Sequence, residues 1–283
     1  MGAVAFAGMG TFGNALGGTC PWPVIALTRA TIPMLITGCL VAAARVPVPW
    51  FHPTMWMRSI AGSISLLCTF YCLTKLSVSD VLTLTNLYPL WVAVLSWPLL
   101  RHKPANSVWI SCVVGIGGVA LIQKAQIGEH SSASLIAIFS SFSSSFALIG
   151  LHRLHGVDSR AIVFHFSLVA VLLSLGAILL VHPVLPSTVL RSPNTVSLLV
   201  GCGLSATVGQ FCLTKAFILG NPARVSVVGL SQVGFAMLFD IVLWGRTFDT
   251  VKLVGIGLVV LSSGWVMLSS GQQTTDGQAD DVL

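Results

Sequence analysis

The residues able to do chemistry in this chain stand out because they interrupt apolar runs. Arg29 lies in "ALTRATIPML", Asp240 lies in "GFAMLFDIVLWGR", and Lys75 and Lys215 each close a "CLTK" stretch. An ionisable group inside an apolar run is costly, so it marks a ligand path or a buried pair. Asp240 is the only carboxylate well inside such a run; it serves either proton coupling or an interfacial pair with Arg246 or Lys252. Neutral hydrogen-bonding groups form a second set: Asn14, Thr83, Asn86, Tyr88, Gln210, Ser231 and Gln232. At membrane depth such groups turn inward, towards a substrate or a neighbouring helix. Pro89 belongs with them, because it frees a carbonyl one turn earlier, near Thr85. That carbonyl needs Thr85 itself or a water-lined cavity. Asn14 shares a helical face with Ala3, Ala7, Gly10 and Gly17, a stripe suited to close packing with Asn14 tilted towards a cavity. His165 reads as a hydrogen-bonded packing residue. The serines of "SSFSSSF" read as bonding carbonyls of their own helix four residues back.

Equally informative is what is missing. No GxSxG, HExxH or P-loop occurs, and no pair of intramembrane acids. No catalytic residues, metal ligands or organic cofactor are expected, and an ATP-driven pump is disfavoured. The single glutamate, Glu129, falls in a loop. The net charge of +6 is scattered, without the contiguous basic face that nucleic acid requires. Seven cysteines without a CxxC pattern, mostly in apolar runs, read as small packing residues.

These residues must be positioned by elements that face lipid. Of 283 residues 55% are hydrophobic and 8% charged, against roughly 25% charged in a soluble domain. Ten apolar segments follow, near 2–18, 23–44, 55–75, 79–100, 107–125, 132–152, 161–182, 195–216, 221–244 and 251–269. The tail, 270–283, is polar and is expected to be disordered. "CLTK" recurs at 72 and 212, and "VGIG" at 114 and 254. The offsets agree: 212 − 72 = 140 and 254 − 114 = 140. Segments 3–5 therefore match segments 8–10. A repeat of five helices is odd, so the second copy enters the membrane from the opposite side, the arrangement of many secondary transporters. The fold class expected is an all-α polytopic membrane protein of two inverted five-helix repeats, 1–126 and 127–269. With the N-terminus inside, the inner loops hold Arg45, Arg58, Arg101, Lys103, Arg153, Arg160 and Arg224; the outer ones hold Lys75, Lys124, Arg191, Arg246 and Lys252. That favours cytoplasmic termini.

The stretches "ALTRATIPMLITGCL", "KLSVSDVLTLTNLYPLWVAVLSW" and "VGQFCLTKAFILGNPARVSVVGLSQVGFAMLF" resemble the EamA-type carriers of the drug/metabolite transporter superfamily. The resemblance covers nearly the whole chain and implies a multi-pass carrier of small metabolites in the plasma, or cell inner, membrane. Two places depart from the pattern. Arg101, His102, Lys103 and Arg246 stand where an acid often follows helices 4 and 9. Gly229, at 89 + 140, stands where Pro89 would repeat. The expected function is secondary transport of an amino acid, organic acid or similar solute by alternating access. A proton-coupled drug or cation exporter using Asp240 is the alternative. A membrane-embedded enzyme or a structural membrane protein ranks lower. The partners expected are a small solute, the bilayer and a proton or other coupling ion, in a monomer or homodimer.

Overall fold

The computed structural model describes residues 1–17, 19–72, 75, 81, 84–100, 104–123, 131–182, 192–244, 250–251, 253–262 and 265. Thr83 and the tail lie outside the described residues, and of Asp240 only the backbone is described. All regular structure in that set is helical. The helices are α1 (Gly2–Leu16), α2 (Trp22–Ala43), α3 (Pro53–Cys72), α4 (Tyr88–Leu100), α5 (Asn106–Gln123), α6 (Ser131–His152), α7 (Ser159–Val181), α8 (Pro193–Leu219), α9 (Pro222–Gly229), α10 (Ser231–Trp244) and α11 (Leu253–Ser262). Among the described residues four helices are long and apolar enough to cross a membrane: 22–43, 132–152, 159–181 and 193–219. Their outer faces expose leucines such as Leu172, Leu179, Leu180 and Leu204, as lipid contact requires.

Helix ends separate into two faces. On the first, the ends of α4, α6 and α8 gather with the starts of α3, α7 and α9 around Leu99, Leu154, Phe217, Met55, Ile162 and Val225. On the second, the end of α1 meets the starts of α2 and α8 around Leu16, Val24 and Leu199. Thus the fourth segment, which closes with α4, arrives at the first face, where its counterpart, the ninth, departs with α9, so equivalent segments run in opposite directions. The packing obeys the same symmetry. Contact of α1 with α8 mirrors α6 with α3, and α2 with α8 mirrors α7 with α3. Contact of α1 with α10 mirrors α6 with α4, while α2 with α7 maps onto itself. The two "VGIG" motifs meet in one cluster, Ile116 and Val119 of α5 with Ile256 and Val259 of α11. Gly118 allows that approach, since a Cβ there would lie 2.8 Å from the Gly255 carbonyl oxygen.

Two segments expected to be continuous are interrupted. The fourth has a turn at Asn86–Leu87 before α4, and the ninth breaks at Leu230 between α9 and α10. Both breaks show the same bonds three residues back: Leu87 to Leu84 and Leu90 to Leu87 in one, Leu230 to Val227 and Val233 to Leu230 in the other. The breaks are 230 − 87 = 143 residues apart, not 140. Their geometry therefore aligns Pro89 with Gln232 rather than Gly229.

Candidate functional site

Although 20 residues long, α3 is absent from the apolar spans because it carries Arg58, Ser59, Ser63, Ser65 and Thr69. It packs between α6 and α7, so these groups face protein rather than lipid. The serines tie α3 to α6. Ser65 Oγ lies 3.0 Å from Ser140 Oγ and 2.5 Å from Ser144 Oγ, Ser140 donates to the Ser65 carbonyl at 2.9 Å, and Ser143 donates to the Ala61 carbonyl at 2.8 Å. Only Ser141 and Ser145 bond within their own helix, three residues back rather than four. The serine-rich stretch is therefore largely an interhelical seam, which corrects the expectation of purely local bonding.

The sequence pattern puts Arg58 in an inner loop, whereas it lies inside α3 and is 3% exposed. At 1.5 Å per residue it is about 8 Å along the helix from Pro53. Its Nη2 donates to Gln210 Oε1 of α8 at 3.2 Å, and its guanidinium carbon stands 4.3 Å from the Phe166 ring centroid. Gly62, one turn on, leaves the room, because a Cβ there would collide with Arg58 Nη1. The Nε of Arg58 has no partner. Removing Arg58 from the loop count leaves six inner against five outer basic residues, so the charge bias for orientation thins.

Arg29 is the eighth residue of α2, two turns in, and is partly buried. One turn earlier on the same helix, Ala26 packs with Phe166, the ring that Arg58 covers. Pro33 removes the amide that would bond the Arg29 carbonyl, so α2 lacks one rung of its hydrogen-bond ladder beside its own cation. Among the described residues neither arginine has an acidic partner; an ion pair joins Arg160 to Asp158 at the start of α7. A cation at the centre of a span costs about 2.5–3.5 kcal/mol by insertion scales, so two arginines without an acid call for a compensating anion.

The remaining candidates are spread out. Gln210 is buried in the Arg58 cluster, and Thr214, one turn further along α8, is buried with its hydroxyl unpartnered. His165 is fully buried, its Nδ1 2.7 Å from Ser59 Oγ, with Trp50 and Trp56 rings against it and its Nε2 unpartnered. Asn14 is exposed, as are Gly10 and Gly17, while α1 meets α8 through Gly2, Phe6 and Phe12 instead. Asn86 is buried. Pro89 occupies the first turn of α4, where no amide donor is needed, and Thr85 bonds Val81 at 2.8 Å. Pro89 thus opens a helix rather than interrupting one. Ser231 bonds the Val228 carbonyl at 2.7 Å, and Gln232 is half-buried in α10. Lys75 lies in a turn just past α3, whereas α8 continues four residues beyond Lys215, so the two lysines do not close their helices alike. An open apolar groove lined by Trp22, Leu67, Cys68, Tyr71, Leu135, Ile136 and Phe139 suits lipid rather than a polar solute.

The two breaks touch. At Leu230 the amide turns to Val227, leaving the Ser226 carbonyl without its helical donor. Tyr88, at the start of α4, donates its hydroxyl to that carbonyl at 3.2 Å. Gly229 makes room, since any Cβ there would strike the Tyr88 hydroxyl.

The model of the EamA-like transporter family matches residues 1–123 and again 131–268. The chain belongs to that family. This EamA-like transporter is 27% identical to an "Uncharacterized transporter" of Helicobacter pylori, over 72% of this chain and 70% of that one. It is 24% identical to the "Pseudopaline exporter CntI" of Pseudomonas aeruginosa, over 86% and 85%, and 24% identical to a "Probable biotin transporter" of the same organism, over 90% of each. A solved crystal structure superposes with a TM-score of 0.82 over 95% of this chain and 97% of that one; at 15% identity it speaks to the fold alone. The EamA-like transporter is thus an integral multi-pass membrane protein that moves a solute and is not an enzyme.

Proposed function

We propose that this chain is a secondary carrier that moves a small polar metabolite, of the amino-acid or organic-acid kind, by alternating access and without ATP. The observation that carries the reading is the meeting of two interrupted, repeat-related helices at Tyr88 and Ser226. Interrupted helices expose backbone groups that a cavity or a partner must satisfy. A contact between their breaks can form in one conformation and open in the other. Among the described residues the buried charged side chain is the guanidinium of Arg58, which suits solutes other than cations. The relatives named for pseudopaline and for biotin support a small-molecule cargo. The two repeats are 1–126 and 127–269. The face holding Arg45, Arg153, Arg160 and Arg224 is cytoplasmic, together with both termini.

The test is a reversible lock. Cysteines replacing Tyr88 and Ser226 in a cysteine-free chain are bridged by a short bifunctional thiol reagent with a reducible link. Bridging should stop solute exchange, and reduction should restore it. Undiminished exchange by the bridged protein would contradict alternating access through these breaks.

A further inference from the structure

We propose that Arg58 is the anchor for a carboxylate of the transported solute, with Gln210 and Thr214 completing the cradle and Arg29 supplying a second positive charge. This rests on the carrier reading and names the cargo of that site.

The cluster is rich in donors and poor in acceptors. A guanidinium carries five N–H donors; Arg58 spends one on Gln210 and leaves Nε without any partner. Gln210 accepts through its oxygen, so its amide nitrogen still has donors to offer. Thr214 lies one turn further along α8, 1% exposed, with an idle hydroxyl. Three features hold the guanidinium in one plane: the Gln210 bond, the Phe166 ring at 4.3 Å and the clearance at Gly62. A fixed planar fork matches a carboxylate through two parallel bonds.

The protein does not provide that carboxylate among its described residues. Asp158 is occupied by Arg160 at the membrane edge. The backbone of Asp240 lies on α10, which packs on α1 and α9. Asp80, Glu129, Asp249, Asp276, Asp280 and Asp281 fall outside the described residues. A structural arginine buried in this way would be paired with an acid. An anchor for a visiting anion is left unpaired until the anion arrives.

The test uses the full chain in phosphatidylcholine nanodiscs. Thermal unfolding is followed with lactate, glutamate, succinate and citrate, and with the neutral control succinamide. We expect at least one carboxylate to raise the Tm saturably and succinamide to leave it unchanged. Arg58→Gln should unfold at the same or a higher temperature without ligand, because it removes an unpaired buried charge. Its apparent affinity for the protecting carboxylate should fall at least about tenfold, as for loss of a charged hydrogen bond. Arg58→Lys keeps the charge without the fork, should fall between the two, and serves if the glutamine variant does not fold. The proposal is overturned by carboxylate protection that survives in both variants, by equal protection from succinamide, or by no protection across the series. It is also overturned if phosphatidylglycerol discs, and no soluble carboxylate, give Arg58-dependent stabilisation. Exchange of neutral solutes by proteoliposomes, unchanged in Arg58→Gln, would overturn the anion site and leave the carrier standing. Carboxylate protection without any solute exchange would instead strike the carrier reading.

Discussion

Single residues decide stability at the membrane edge and specificity within. Asp158 caps α7 by accepting the Arg160 amide at 2.8 Å and the Arg160 Nη2 at 2.7 Å. The hydrogen bond from the Arg160 side chain is the main reason its carboxyl is held below the usual carboxylate range; the Arg160 amide and the charge of Lys215 act the same way. A depressed folded pKa makes the contribution complete above the unfolded value of about 3.9, and it is lost as pH falls through the folded value. The ion pair itself, roughly a third exposed on both sides, adds little. Asp158→Ala should therefore cost about 1 kcal/mol at neutral pH through the lost cap, while Asp158→Asn stays close to wild type. The difference between wild type and Asp158→Ala should shrink below about pH 4. Denaturant unfolding at pH 7 and pH 3 measures both, and an alanine variant as stable as wild type at pH 7 contradicts the cap. At this scale the sequence was only partly legible. Arg29 stands visibly inside an apolar run, but Arg58 follows the segment start so closely that it reads as a flank. Its burial depends on α6 and α7 folding over it, and no pattern within one helix reports that.

Among the elements, the two breaks do the positioning. Gly229→Ala on an ordinary helix would be neutral or mildly favourable, since alanine has the higher helix propensity by about 1 kcal/mol. Here the new methyl group meets the Tyr88 hydroxyl. Gly229→Ala should lower stability and slow solute exchange, and Tyr88→Phe should relieve much of the loss. The double-mutant cycle should give a coupling of about 0.5–3 kcal/mol, the range for residues in contact. Additive effects of the two changes would show that the breaks do not touch. Pro89 could be read as a helix breaker from its chemistry, but the site of the break could not. The turn falls at Asn86–Leu87, and the proline then sits harmlessly in the first turn of α4. The break at Leu230 has no proline to announce it. It rests on the Ser231 hydroxyl taking the Val228 carbonyl three residues back and on Tyr88 taking that of Ser226, and the second of these depends on a tertiary neighbour.

For the whole molecule, the repeat was legible because two short motifs kept one spacing, and the packing of Ile116 and Val119 on Ile256 and Val259 shows why. Residues that meet across a pseudo-twofold axis contact their own counterparts, so both copies answer to the same steric demand. The serine seam between α3 and α6 was less legible, because serine bonds its own helix or a neighbour with equal ease. The central claim, that this inverted pair of repeats carries a solute by alternating access without ATP, is tested most directly by counterflow. Proteoliposomes holding the full chain are loaded with an unlabelled amino acid or organic acid and placed in a trace of the labelled solute, without nucleotide or ion gradient. The account predicts saturable uptake for at least one such solute, with a transient overshoot that depends on unlabelled solute inside. Uptake that rises linearly with concentration and ignores the internal solute, or that appears only with ATP, would contradict it.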